Sequence, residues 1–464
     1  MIDNRTAPRT TSPLTHATSR EGTPTVGEHA PAATVTAAAD AAPAGALAPG
    51  GATVPTSAAA SAKAGWLIGP QHRLHAGGLV ALIVIANLIV PLSMDMYTPA
   101  VPELPAYFGT TPGMVNLTLV GFFLFNAVGL LAFGPLSDSV GRKPVLVGGV
   151  ILYAAGSALC ALAGSVWMLI CTRIVQALGA GAMVAVSTAL VKDCFSATVR
   201  DRILMVLQVL GVLGLVGGPL VGGVILRFGT WHTTFWALFA FALACLVLAL
   251  LFEETLPADQ RVSGGLSQVV GGLGRVARNP GFTLLLVVVS LFSVPFMAYI
   301  SSASYVYIDR FGETQQGYTY FFAATAAFTA LAPFIYMLAS RWVSARRYTT
   351  ILISFGILSA VLLVTIGELS PWTFCLSFLL FAMVEAAIRP YTTSIMLQQQ
   401  DRDTGSASSL INFANTAFGC VGMVAVMPFH DYVEGLSVIM VSSMVVALAL
   451  WIYINRAKVP VKGL

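Results

Sequence analysis

From about position 75 onward the chain is a succession of apolar runs, each roughly 18 to 25 residues long and parted from the next by a short polar stretch. At about 1.5 Å per residue, a helix of that length crosses a hydrocarbon core of about 30 Å. The runs are continuously apolar rather than alternating, which excludes a β-barrel. They read as 76–100, 112–134, 144–163, 165–191, 200–225, 231–252, 281–304, 317–340, 348–367, 371–398, 405–427 and 435–455. Composition agrees, because 57% of the residues are hydrophobic and only 9% charged. A soluble domain carries about 25% charge to cover its surface. The expected fold class is an all-α membrane protein with twelve transmembrane helices in two six-helix halves.

The loops divide by charge. Taking the amino terminus as cytoplasmic, Arg142, Lys143, Lys192, Arg200, Arg346, Arg347 and Arg456 fall on one face, while only Arg227 and Arg310 fall on the other. Basic loops stay inside, so both termini are expected in the cytoplasm. Residues 1–73 are mostly Ala, Thr, Pro, Ser and Gly, too poor in large apolar side chains to offset ordering, and are expected to be disordered. The halves are expected at 74–253 and 281–456, the cytoplasmic linker at 254–280 and a tail at 457–464. Within the linker, Leu266 to Arg278 has the pattern of a short amphipathic surface helix. The six cysteines show no CxxC spacing, so neither a metal site nor a disulfide framework is suggested.

Between the second and third runs stands "GPLSDSVGRKP", residues 134–144, an acid and two bases in a chain that avoids charge. Further on come "RIVQALGAGA" (173–182), "GLVGGPLVGG" (214–223), "MDMYTPAVPELP" (94–105) and "GTTPGMVNLTLVGFFL" (109–124). Together, in order, these resemble the signatures of the major facilitator superfamily, in its drug/proton antiporter branch of chloramphenicol and bicyclomycin exporters. One departure is Ser139, where the family usually has a basic residue. In the second half the resemblance rests on "GSASSL" (405–410) and the span count.

The resemblance implies a major facilitator fold and roles for these residues. Asp138, Arg142, Lys143 and Asp193 form a cytoplasmic latch: Arg142 can pair with Asp193, and Asp138 can face the amino terminus of the eleventh span at Thr404–Ser406, where free N–H groups favour an anion. Gly214, Gly218, Pro219, Gly222 and Gly223 form the antiporter-type motif. Gly214 and Gly218 share a helical face that admits a close neighbour, and Pro219 removes one backbone bond.

Four charges lie within the spans, namely Asp95, Arg173, Glu385 and Arg389. Each costs about 2.5–3.5 kcal/mol on insertion scales, so each invites a functional reading. Counting from the span ends, Asp95 and Arg173 are at the same depth, roughly 10–12 Å below the outer surface. Burial opposes ionisation of a carboxylate and a nearby guanidinium favours it, so Asp95 and Arg173 are expected to carry proton coupling. Glu385, four residues before Arg389, is either a second proton or cation site or one half of a self-neutralising pair. Asn87, Tyr97, Asn126, Gln176, Gln208, Asn412 and Asn415 are the candidate substrate-binding residues.

No phosphate-cradling GxxxxGK[ST] loop, catalytic triad or metal cluster is legible, so no enzyme activity and no cofactor are expected, the energy source being a proton gradient. The reading is a monomeric proton-coupled exporter of small amphipathic drugs, with no nucleic-acid partner. A nutrient or metabolite symporter or exporter of the same fold is the alternative, and a non-transporting membrane sensor a second.

Overall fold

The computed structural model describes residues 71, 73–257, 259, 261, 265–332, 343–399, 404–457 and 461. Of the proposed disordered segment 1–73 only residues 71 and 73 are among these, and most of the tail and the side chain of Gln208 lie outside them. Among the described residues there is no β-strand. Among the described residues fourteen α-helices follow one another: α1 (His75–Asp95), the short α2 (Leu104–Phe108), α3 (Pro112–Val140), α4 (Arg142–Ala161), α5 (Val166–Cys194), α6 (Ala197–Phe228), α7 (Trp231–Leu251), α8 (Gly265–Ala277), α9 (Pro280–Tyr305), α10 (Gln315–Thr329), α11 (Ala345–Ile366), α12 (Pro371–Gln398), α13 (Thr404–Ala425) and α14 (Tyr432–Arg456). Helices are what hydrocarbon permits, because each backbone N–H and C=O finds its partner inside the segment.

Ten helical stretches among the described residues are long and apolar enough to cross a bilayer. The 32-residue α6 and α10 supply the other two of the twelve spans, and the end of the eighth run, 333–342, is outside the described residues. Helix starts carry hydroxyl caps where the sequence changes from polar to apolar. Ser165 caps α5, and Thr230 and Ser370 close capping boxes at α7 and α12.

The first span does not run on as one α-helix to position 100. It ends at Asp95 and passes into a 3₁₀ turn, Thr98–Glu103. Pro99 and Pro102 carry no N–H to continue the α-helical ladder. Asp95 is therefore the last residue of α1, where the backbone turns.

Close packing within the first six spans depends on missing side chains. A Cβ on Gly179 would lie 2.4 Å from the Tyr153 backbone nitrogen in α4, and one on Gly181 2.6 Å from the Asn126 carbonyl oxygen in α3, so α5 is wedged between those helices. The two groups of six spans meet on the face opposite the basic loops. There Asn116 Nδ2 donates to the Met423 carbonyl at 2.7 Å, and Gln315 Nε2 to Glu103 Oε1 at 2.5 Å. Toward the basic face α3 and α13 part, and α8, found where an amphipathic helix is expected, packs against both.

Candidate functional site

Arg173, fully buried in α5, is the centre of a polar and aromatic cage. Its Nη1 donates to the Ser93 carbonyl at 3.1 Å and to Gln176 Oε1 at 2.8 Å, and its Nη2 meets Met94 Sδ at 3.1 Å. The guanidinium carbon stands 4.3 Å from the ring centre of Phe122, 5.2 Å from that of Tyr97 and 5.6 Å from that of Phe235. A cation in a dry site is stabilised by the negative faces of such rings. Gln176 is held in turn by donating to Ser157 Oγ at 2.7 Å, and the Tyr97 hydroxyl is 3.2 Å from Thr118 Oγ1. Tyr97 and Gln176, both candidates for substrate binding, thus belong to the lining of the arginine cage.

Asp95 and Arg173 are the two residues expected to carry proton coupling. The two are level, but no ion pair joins them, and Arg173 bonds to the atoms just before Asp95 in the chain. At 3% exposure Asp95 turns instead to α6. A Cβ on Gly218 would lie 2.5 Å from the Asp95 Cβ, one on Gly222 2.3 Å from the Met96 carbonyl oxygen, and one on Gly214 2.9 Å from Pro91 Cγ. The glycine motif of α6 is the bed on which the end of α1 lies. On the same helix, Gly223 borders Thr319 of α10, across the boundary between the halves. The neighbouring Tyr318 is fully buried, and its hydroxyl has no hydrogen-bond partner among the described residues. Asp95 sits in the seam between halves.

The charged loop is built around Arg142. Its Nη1 contacts Asp138 Oδ1 at 2.6 Å and its Nε contacts Asp193 Oδ2 at 2.9 Å, so the pairing with Asp193 is present. Ser137 Oγ accepts from Nη1 at 2.6 Å. Sequence reasoning missed Glu254, whose carboxylate accepts the backbone N–H groups of Arg142 and Lys143 at 2.9 and 3.0 Å. An acid here satisfies the free donors that open α4. Gly141 is demanded twice, by a φ of +119° and by a Cβ position 2.6 Å from Glu254 Oε2. Lys143 reaches the Leu250 carbonyl at 2.9 Å. Asp138 is engaged by Arg142, and no contact between it and the start of α13 is found among the described residues. That position is taken by α8, where a Cβ on Gly272 would lie 2.5 Å from Ser406 Oγ.

Asn126, Asn412 and Asn415 line or flank the opening between α3 and α13. Asn126 and Asn412 come together on a cavity of about 160 Å³ with Leu130, Ser409, Phe413 and Thr416, and Asn126 Oδ1 is buried without a partner. Asn415 accepts from Ser290 Oγ of α9 at 2.9 Å. Asn87 is elsewhere, tying α1 to Ser187 of α5 at 2.8 Å. Glu385, 4% exposed at its side chain, is in ion contact with Arg389, whose Nη2 also reaches Ser293 Oγ at 3.3 Å. Among the described residues no cluster of His, Cys, Asp and Glu could hold a metal ion.

A bundle of membrane-length helices, with charges caged inside it and a cavity opening between its halves, has the architecture of a membrane transporter. The sequence profile of the Major Facilitator Superfamily matches residues 83–423, and the chain belongs to that family. It is 27% identical over 349 residues to a bicyclomycin resistance protein homolog of Haemophilus influenzae, covering 73% of this chain and 85% of that one. It is 31% identical over 274 residues to a chloramphenicol resistance protein of Pseudomonas aeruginosa, covering 58% and 64% respectively. Among solved structures, a bacterial homolog to the human lysosomal transporter Spinster, in an inward-facing and unoccupied conformation, superposes with a TM-score of 0.66 at 16% identity. That match covers 84% of this chain and 98% of the other.

Proposed function

We propose that the chain is a proton-coupled exporter of small amphipathic drugs that works by alternating access in the bacterial inner membrane, as a monomer with both termini cytoplasmic. The observation that carries this reading is Asp95, a buried carboxylate in the seam between the halves, with no ion-pair partner among the described residues. A group so placed gains or loses its proton according to which way the seam opens, and its charge biases the two states differently. Arg173 fixes the backbone of residues 93 and 94 from the other side and so sets the position of that carboxylate. The Arg142 cluster braces the basic face, and the cavity of Asn126 and Asn412 receives the drug. Glu385 is left out of the coupling route, because Arg389 already answers its charge. The bicyclomycin and chloramphenicol resistance relatives support drugs as the cargo.

In everted vesicles, drug addition should release protons through the parental protein. Asp95→Asn should insert normally and exchange no protons, since an amide does not titrate in the working range. Parental drug-driven proton flux in that variant would exclude Asp95 as the carrier.

A further inference from the structure

Arg389 differs from the other charge inside the membrane that is cationic. Its side chain is 40% exposed, although it lies about nine residues from the basic-face end of α12, roughly 14 Å deep. One nitrogen of the fork, Nη2, is engaged by Glu385 and Ser293, and Nε is buried without a partner. For Nη1 no protein partner is found among the described residues. Ser293 is one helical turn from Ser290, which bonds Asn415, and Asn415 is one turn from Asn412 on the cavity wall. The guanidinium is therefore linked, by way of the buried polar groups of Ser293, Ser290 and Asn415, to the helix face that carries Asn412 on the wall of the cavity between α3 and α13.

The ion pair decides what this place accepts. Glu385 is buried, and Arg389 occupies its carboxylate, so a cation would have to displace a tethered guanidinium four residues away. An incoming anion meets no such competitor, because Nη1 has no protein partner among the described residues. With Glu385 already offsetting one charge, a monoanion is tolerated better than a dianion. We propose that Arg389, oriented by Glu385 and Ser293, is a recognition subsite for the carboxylate of an anionic or zwitterionic amphipathic substrate entering from the basic face. The planar fork suits a carboxylate, which a point charge replaces poorly. For transport this rests on the exporter reading above, whereas binding does not depend on proton coupling.

The test is binding of a fluorescent coumarin carboxylate and its neutral methyl ester to the full-length protein in phosphatidylcholine nanodiscs, followed by anisotropy. The parental protein should prefer the acid by roughly ten- to hundredfold, the value of a hydrogen bond to a charged group. Since Arg389→Gln alone leaves Glu385 without its partner, the double variant Arg389→Gln with Glu385→Gln is the decisive protein. It should bind the ester as before and lose the preference for the acid, and Arg389→Lys should keep part of it. A parental protein that does not distinguish acid from ester, or a double variant that still does, overturns the proposal. Loss of acid binding when phosphatidylglycerol replaces phosphatidylcholine would also overturn it, by making the site one for lipid headgroups. Failure of proton-coupled export in vesicles, with this binding intact, would count against the exporter reading and leave the subsite standing.

Discussion

Two arginines lie inside the membrane, one in each half, and the protein treats them oppositely. Arg173 is sealed from solvent and given carbonyl, amide, thioether and ring partners, with no carboxylate in contact. Arg389 is half open and paired with an acid on its own helix. A buried cation without a counter-ion must be answered by fixed dipoles and ring faces, which demands a geometry shared by α1, α3, α5 and α7. An i,i+4 pair demands only one helix. The first arrangement fixes position, and the second leaves a charged surface available.

Arg173→Lys should separate the two most sharply. An ammonium cannot hold the fork's partners and stack on Phe122 at once, so export per inserted molecule should fall about a hundredfold or more. Arg389→Lys should lose less than about tenfold. Equal losses, measured as drug efflux from vesicles and normalised to protein level, would break the comparison.

Next in size is Glu385→Gln, which leaves Arg389 without its counter-charge and should destabilise the folded protein by about 1–3 kcal/mol. The yield of monodisperse protein should drop and its unfolding temperature fall. Adding Arg389→Gln should restore both, and no recovery would mean that Glu385 is needed for more than neutralising its neighbour.

The smallest effect is expected from Tyr97→Phe, which keeps the ring beside Arg173 and removes only the hydroxyl contact to Thr118. About 1 kcal/mol or less is at stake. Export should change less than about threefold with the same drug spectrum, so an altered spectrum in a susceptibility panel would return Tyr97 to the drug site.

Depth was legible in the sequence, and direction around the helix was not. Hydropathy located the spans, and counting from their ends put Asp95 and Arg173 at one level. Each step along a helix turns the side chain by about 100°, so level residues can still look away from each other. Here Ser93 and Met94 meet the arginine while Asp95 faces Gly218. Glu254 escaped for another reason: "EETLP" reads as ordinary loop acid, and nothing local says that it caps a helix more than a hundred residues earlier. The Arg142–Asp193 pair was readable because both residues sit at helix ends on one face. The contact of Asp138 was not, because it depends on where α8 rests.

That resting place gives the linker a mechanical part. Glu254 bolts the linker's start to the first half, and Gly272 seats α8 on Ser406 of the second, in the gap between α3 and α13. In the alternating-access cycle proposed above that gap would close, and α8 would be a chock that slides out before the basic face shuts and back in before it reopens. Linker length and the fit at Gly272 would in that cycle govern how fast the machine turns, independently of what it carries.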